Sequence, residues 1–147
     1  MKKTYLFGII GMLIVAAIIF ALTINRPTEK QAVKRIDEFT TAVNYNVPED
    51  LYDLLSSDLK ALITKEGFVY NFADERSYPY ITPLFLILDE LTLSEDNMSG
   101  DISFIVSARL AGEFMQAKLV FEDGDYYITM FDWIIDGSYK AKFELIK

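Results

Sequence analysis

Residues 101–127 read DISFIVSARLAGEFMQAKLVFEDGDYY and carry the clearest strand pattern in the chain. Apolar side chains alternate with polar ones from Ile102 to Leu110, which is the period of a half-buried strand. After Ala111-Gly112 the alternation resumes at Met115. Asp123-Gly124 tolerates the positive φ angles of a tight turn. The stretch therefore predicts two antiparallel strands followed by a hairpin turn.

The same pattern continues toward the C-terminus. A strand is predicted over 126–134, a second turn at Asp136-Gly137, and a last strand over 138–147. Asp132 falls within the apolar run 128–135 and shares strand parity with Tyr126. If that face points inward, Asp132 is a buried carboxylate close to aromatic rings. If it points outward, Asp132 is solvated or paired with Arg109 or Lys118, and this is the commoner arrangement for an Asp.

The residues before this sheet are less regular. Residues 84–94 fit either a short helix or a buried strand, and Leu91-Thr-Leu93 favours a strand at the end of the segment. Residues 95–100 form a cluster of turn residues. Residues 68–83 mix aromatic residues with prolines and predict a loop lying on the core.

The helical signals come earlier in the chain. Thr28 and Gln31 have the spacing of a capping box, and apolar residues then recur every three or four positions up to Val43. Pro48 starts a second helix, and Ser57 can cap a third that Gly67 would end. Helices followed by an antiparallel meander predict an α+β domain, with the helices on one face of a curved sheet.

Residues 5–24 form an uncharged apolar run that, as a helix, would cross a hydrocarbon core of ~30 Å. The run is longer than the apolar part of a cleavable signal peptide, which favours an uncleaved anchor. Lys2 and Lys3 favour a cytoplasmic head, although basic residues also follow the run. We therefore expect residues 1–27 to be a single-pass membrane anchor with a short cytoplasmic head. Residues 28–147 would form an extracytoplasmic domain.

Composition excludes several classes of function. The 147 residues include no His and no Cys, so the chain has no imidazole base, thiol nucleophile or disulfide, and no lipid-attachment cysteine. With Lys2 and Lys3 set aside, 12 basic side chains stand against 22 acidic ones, a net charge of −10. Such a domain repels phosphate backbones, so we expect no nucleic-acid partner.

The order of elements resembles the nuclear transport factor two-like, or cystatin-like, superfamily. The resemblance is carried by the N-terminal amphipathic helix and by three segments, PEDLYDLL (residues 48–55), SGDISF (99–104) and YYITMFDW (126–133). It implies a cone-like domain, with helices on a curved antiparallel sheet, whose open end can hold a small ligand. Some members of that superfamily are isomerases or dehydratases. The predicted strand over 138–147 departs from the pattern, because the family often stops near the Trp strand.

Few residues of the chain are candidates for catalysis, ligand binding or metal binding. With His absent, Asp132 is the candidate acid or base, and it would act beside phenols if burial raised its pKa. Aromatic side chains that could line a ligand pocket are Tyr70, Tyr78, Tyr80, Tyr126, Tyr127 and Trp133, although core packing is their commoner use. The acidic residues Glu95, Asp96 and Asp101 lack the spacing of a calcium loop, so we expect neither a metal nor a cofactor.

Three functions remain open at this point. The leading one is a membrane-anchored binding or assembly module, such as a scaffold component of a bacterial cell-envelope or secretion machine, and not an enzyme. Its partners would be the membrane, through residues 5–24, and a protein of the envelope or a second copy of the chain. The alternatives are a small-molecule enzyme using Asp132 and a ligand carrier without catalysis.

Overall fold

The computed structural model describes residues 26–77, 85–107 and 113–144. Their helices are α1 (Glu29–Asn44), α2 (Pro48–Asp53), α3 (Ser57–Lys60), α4 (Lys65–Ser77), α5 (Asp132–Ile135) and α6 (Tyr139–Glu144). Their strands are β1 (Leu86–Leu93), β2 (Ser99–Val106), β3 (Glu113–Glu122) and β4 (Asp125–Thr129). The strands form one antiparallel sheet in the order β1-β2-β3-β4. The predicted α+β class, with helices packed on an antiparallel sheet, is confirmed.

The two faces of the sheet follow from strand register. Leu88, Phe104 and Met115 lie side by side on the inner face, whereas Ile87, Ile105 and Phe114 form the neighbouring row on the outer face. The hairpin predicted at Asp123-Gly124 joins β3 to β4, and both of its residues have positive φ. Residues 86–93, which fitted either a helix or a strand, form an edge strand.

Helix α1 covers the inner face of the sheet. Its predicted capping box is confirmed, because Thr28 Oγ1 accepts from the Gln31 amide while the Gln31 side chain accepts from the Thr28 amide. The apolar stripe is buried except at Val33, which is 44% exposed. The Phe39 ring stacks on those of Phe104 and Phe131 at centroid distances of 6.0 and 5.8 Å. Burying aromatic rings between a helix and a sheet provides most of the cohesion at this contact.

Polar contacts join α1 to both ends of the sheet. In its second turn, the Arg35 guanidinium pairs with the Asp125 carboxylate at the β3–β4 hairpin. At its last residue, the Asn44 side chain accepts from the Leu86 amide and donates to the Leu86 carbonyl, at 2.7 and 2.9 Å. Helix α1 therefore runs from the hairpin end of the sheet to the end where β1 begins.

Helix α4 corrects two predictions. Gly67 does not end a helix but lies in the first turn of α4, where its amide donates to Thr64 Oγ1. Residues 68–77 are therefore helical and not a loop, while 78–83 lie outside the described residues. Phe68 and Phe72 are one turn apart and buried on the same face. Aromatic residues that suggested a loop in fact form the buried side of this helix.

Helix α3 is shorter than predicted. It ends at Lys60, and Leu62, which was assigned to its apolar stripe, is 72% exposed. The helix begins after Ser56, and Ser57 caps nothing. The Glu122 carboxylate accepts instead from the Ser57 amide and hydroxyl. The hydrogen-bond acceptor at the start of this helix is therefore Glu122 of β3, and not the Ser57 side chain that the sequence predicted.

The C-terminal part also differs from prediction. Strand β4 ends at Thr129, so the predicted strand over 126–134 is only half correct. Phe131 is buried with φ of 72°, a left-handed conformation that stops the extended backbone, and α5 begins directly after it. The strand predicted over 138–147 is wrong, because residues 139–144 form helix α6. Residues 145–147 lie outside the described residues.

The predicted anchor is not covered by the structure. None of the helices within residues 26–77, 85–107 and 113–144 is long and apolar enough to cross a membrane. The run 5–24 lies outside these ranges. The membrane anchor and the division into residues 1–27 and 28–147 therefore stay predictions.

The role of Phe39 can be tested by Phe39→Ala in residues 28–147 produced without the anchor. Because the ring is fully buried against two others, we expect the free energy of unfolding to fall by about 3–5 kcal/mol. Urea denaturation followed by circular dichroism measures this. Val33→Ala is the control on the same helix, because Val33 is 44% exposed and should change stability by less than about 0.5 kcal/mol. A loss below about 1 kcal/mol for Phe39→Ala would contradict this packing.

Candidate interaction surface

The inner face of the sheet holds a cluster of buried aromatic rings. Phe39 lies between Phe104 and Phe131, and the Phe72 ring meets Phe131 edge-on at 5.7 Å. All four side chains are at most 1% exposed. The space beside Phe39 is therefore filled by protein.

Asp132 does not lie where strand parity placed it. It is the first residue of α5 and is exposed, because the left-handed Phe131 turns the chain before it. Among the described residues, no ion pair joins it to Lys118, and Arg109 lies outside them. The inward position beside Tyr126 is wrong, and the outward, solvated position is the one observed.

The aromatic residues predicted as ligand-binding are not brought together. Tyr126 is fully buried, its hydroxyl donates to the Asn97 carbonyl at 2.7 Å, and burial raises the pKa of its phenol. Tyr127 lies on the opposite face of β4, where the Arg35 guanidinium and the Lys60 ammonium are 5.4 and 4.8 Å from its ring centre. Consecutive residues of a strand point to opposite faces, so these two tyrosines cannot line one pocket.

The remaining predicted residues belong to other surroundings. Tyr70 lies on α4 and is 66% exposed, whereas Trp133 donates from Nε1 to the buried Glu75 carboxylate at 3.0 Å. Tyr78 and Tyr80 lie outside the described residues. Tyr126 and Trp133 serve packing and local hydrogen bonding, and the described aromatic residues of the predicted set do not form a common pocket.

Helix α4 is joined to the C-terminal elements by polar contacts. The Tyr139 hydroxyl donates to the Asp74 carboxylate at 2.8 Å, and the Asn71 side chain donates to the Ile134 carbonyl at 2.8 Å. Burial and the bond to Asp74 raise the pKa of the Tyr139 phenol. Together with Trp133 and Glu75, these groups attach α5 and α6 to α4. Their hydrogen bonds give them a structural role.

The outer face of the sheet carries an apolar surface that sequence reasoning missed. Ile87, Ile105 and Phe114 are paired across β1, β2 and β3, and Phe85 accepts from the Ser107 amide one row further out. Phe85, Ile87 and Phe114 are 46%, 49% and 60% exposed. We call these four residues the open-end patch, because they lie at the end of the sheet opposite the β3–β4 hairpin.

A signal for the patch was present in the sequence. Strict alternation assigns Phe104 and Val106 to the core, which leaves Ile105 as an apolar residue at an outward position. Phe114 beside Met115 is a second case of the same kind. Neither Ile105 nor Phe114 decides anything alone, because exposed apolar residues are common on protein surfaces. Only strand register shows that they fall in one row with Ile87.

Charge on the sheet is strongly one-sided. Lys118 is the single basic residue among strands β1–β4, and it is paired in register with Asp101. Next to the open-end patch, the Asp89 carboxylate accepts a hydrogen bond from Ser103 Oγ at 3.4 Å. Ser103 Oγ in turn accepts a hydrogen bond from the Gln116 side chain at 3.2 Å. The patch is therefore bordered by a polar row that includes a carboxylate.

Comparison with known proteins adds no assignment. No model of a known protein family matches the chain, and no curated protein matches it significantly. The resemblance to the nuclear transport factor two-like superfamily stays a proposal. Function has to be argued from the surface.

The buried phenols predict sensitivity to alkaline pH. Because burial raises the folded-state pKa of Tyr126, the folded protein keeps this proton while the unfolded chain loses it above a pH of about 10. Stability is therefore complete below that pH and falls as the pH rises through it. We expect the free energy of unfolding to be lower at a pH above about 10 than at about pH 8, and this difference to be smaller in Tyr126→Phe.

Urea denaturation at each pH measures this effect. Tyr126→Phe should also cost about 1 kcal/mol near neutral pH, because the bond to Asn97 is lost. Tyr45→Phe is the control, because Tyr45 is 79% exposed and should leave the pH dependence as it is. An unchanged alkaline fall in Tyr126→Phe would show that this phenol makes no contribution.

Proposed function

We propose that this chain is a membrane-anchored, extracytoplasmic binding module whose open-end patch docks a protein of the cell envelope. In this proposal residues 5–24 are the anchor, and the domain after them is of the nuclear transport factor two-like kind. The chain acts as a scaffold component and performs no catalytic step. The observation that carries the proposal is the row of apolar side chains on the outer face of three strands, in which Ile87 and Phe114 are exposed.

Such a row is unusual on a surface that stays in water. Single exposed apolar residues need no explanation, but contiguous ones with a polar border are typical of protein interaction sites. Phe85 and Phe114 add aromatic side chains, a residue type enriched in the centres of interfaces.

The position of the patch supports its use by a partner away from the membrane. Helix α1 has 16 residues and spans ~24 Å. It enters beside the β3–β4 hairpin, through Arg35 and Asp125, and ends at Leu86, next to the patch. A chain anchored through residues 5–24 would therefore present the patch at the far end of the domain.

The two alternative functions receive less support from the described residues. An enzyme using Asp132 needs that carboxylate beside aromatic rings in a dry site, and Asp132 is exposed on α5. A carrier needs interior space, and the inner face beside Phe39 is filled by rings. Neither alternative gains a specific observation of its own.

The topological part of the proposal is tested by a reporter fused after Lys147. We expect a reporter that is active only outside the cytoplasm to be active, and the fusion to keep its full mass in the membrane fraction. A cytoplasm-only reporter in the same position is the control and should be inactive. Activity of that control, or loss of the first residues from the mature protein, would contradict the anchored extracytoplasmic topology.

The docking surface is tested by placing a photo-crosslinking amino acid at Ile87 or Phe114 in the full-length chain in cells. We expect both positions to crosslink to the same envelope protein, because they lie in one row. Leu62 is the control, since it is 72% exposed but belongs to the segment between α3 and α4 and not to a strand. The purified partner should bind the full chain and lose binding to Phe114→Ser. A crosslink from Leu62 alone would refute the surface.

A further inference from the structure

We propose that the partner docks on the open-end patch through a segment of apolar side chains flanked by Lys or Arg, lying across the face of β1–β3. It does not add a strand to the edge of β1. This inference rests on the proposed function and specifies the partner of the same site. It follows from the charge around the patch, the size of its apolar row and the condition of the neighbouring edge.

The charge of the sheet selects a basic partner. The strands that carry the patch contain Asp89, Glu90 and Asp101, whereas Lys118 is their only basic residue and is paired with Asp101. Asp89 is exposed on the border of the patch, and among the described residues its hydrogen-bond donor is Ser103 Oγ, at the long distance of 3.4 Å. An acidic segment would be repelled at this border, whereas a Lys or Arg beside the apolar row would be attracted to it.

The apolar row fits side chains laid across the strands. Neighbouring strands are ~4.8 Å apart, so Ile87 and Phe114 are separated by two such spacings with Ile105 between them. That breadth matches one aromatic ring or two aliphatic side chains. A partner residue of this kind would cover Ile105, which is already half-buried, and would contact both exposed neighbours.

The edge of β1 beside the patch is occupied. The Asn44 side chain bonds both the amide and the carbonyl of Leu86, and thus takes the positions that an added strand would use first. A bulge at Asp89 then interrupts the register with β2, and Asp89 and Glu90 are both charged and exposed. Bulges and charges of this kind hinder pairing with a further strand. Docking on the face leaves all of these features undisturbed.

The probe is a seven-residue peptide in which Lys alternates with Leu around a central Phe. The comparison peptide has Glu in place of each Lys. Binding of both peptides to the isotopically labelled full-length chain in phosphatidylcholine nanodiscs is followed by NMR. We expect the basic peptide to shift the resonances of Ile87, Ile105 and Phe114, and the acidic peptide to leave them unchanged.

Matched variants separate this site from general attraction to an acidic domain. Asp89→Asn should weaken binding of the basic peptide about two- to fivefold, and Phe114→Ser by more than about fivefold. Asp58→Asn and Leu62→Ser change exposed residues away from the patch and should leave the affinity unchanged. Amide exchange of residues 88–93 should not slow on binding, because no strand is added.

Three results of the peptide experiment would overturn the inference. They are equal binding of the acidic peptide, equal weakening by Asp58→Asn, and new protection of the β1 amides, which would mean edge pairing. Dimerisation of the chain through Phe114 without any partner would overturn it as well. If peptide binding fails while the Ile87 and Phe114 crosslinks persist, the partner's charge is wrong and the surface stands. Loss of the crosslinks refutes the surface itself.

Discussion

The packing of Phe39 against the inner face of the sheet is the contact on which the rest of the domain depends. One ring of α1 meets Phe104 from β2 and Phe131 from the turn after β4, so a single residue joins three separate parts of the chain. Phe72 extends the same cluster to α4 through its edge contact with Phe131. Because these rings are fully buried, replacing any one of them with Ala would leave a cavity between these elements.

The two faces of the sheet have different environments. The inner face packs against α1, whereas Ile87 and Phe114 on the outer face are exposed. The outer face also carries polar side chains that water can solvate, such as the row of Asp89, Ser103 and Gln116. The open-end patch is the exception, and it lies where α1 ends and not where the chain enters the domain.

Polar contacts fix how the helices are placed on the sheet and on one another, which apolar packing alone does not specify. Asn44 and Arg35 hold α1 at opposite ends of the sheet, which sets the direction of the helix and with it the distance between the patch and residue 28. The bonds from Tyr139 and Trp133 to acidic residues of α4 attach the C-terminal helices in one arrangement. Each of these bonds adds modest stability, but leaving its buried groups unpaired would cost more, and this asymmetry makes the arrangement specific.

Local chemistry by itself determined the α+β class, the start of α1 at its capping box and the hairpin at Asp123-Gly124, because capping, turn formation and alternation depend on neighbouring residues. It failed at Gly67, where burial of Phe68 and Phe72 outweighs the low helix propensity of glycine. It failed again at Phe131, whose left-handed backbone is held by contacts from α1 and α4. The exposure of Asp132 followed from that turn, and the open-end patch followed from register. Both depend on which distant residues become neighbours, and only the tertiary structure decides that.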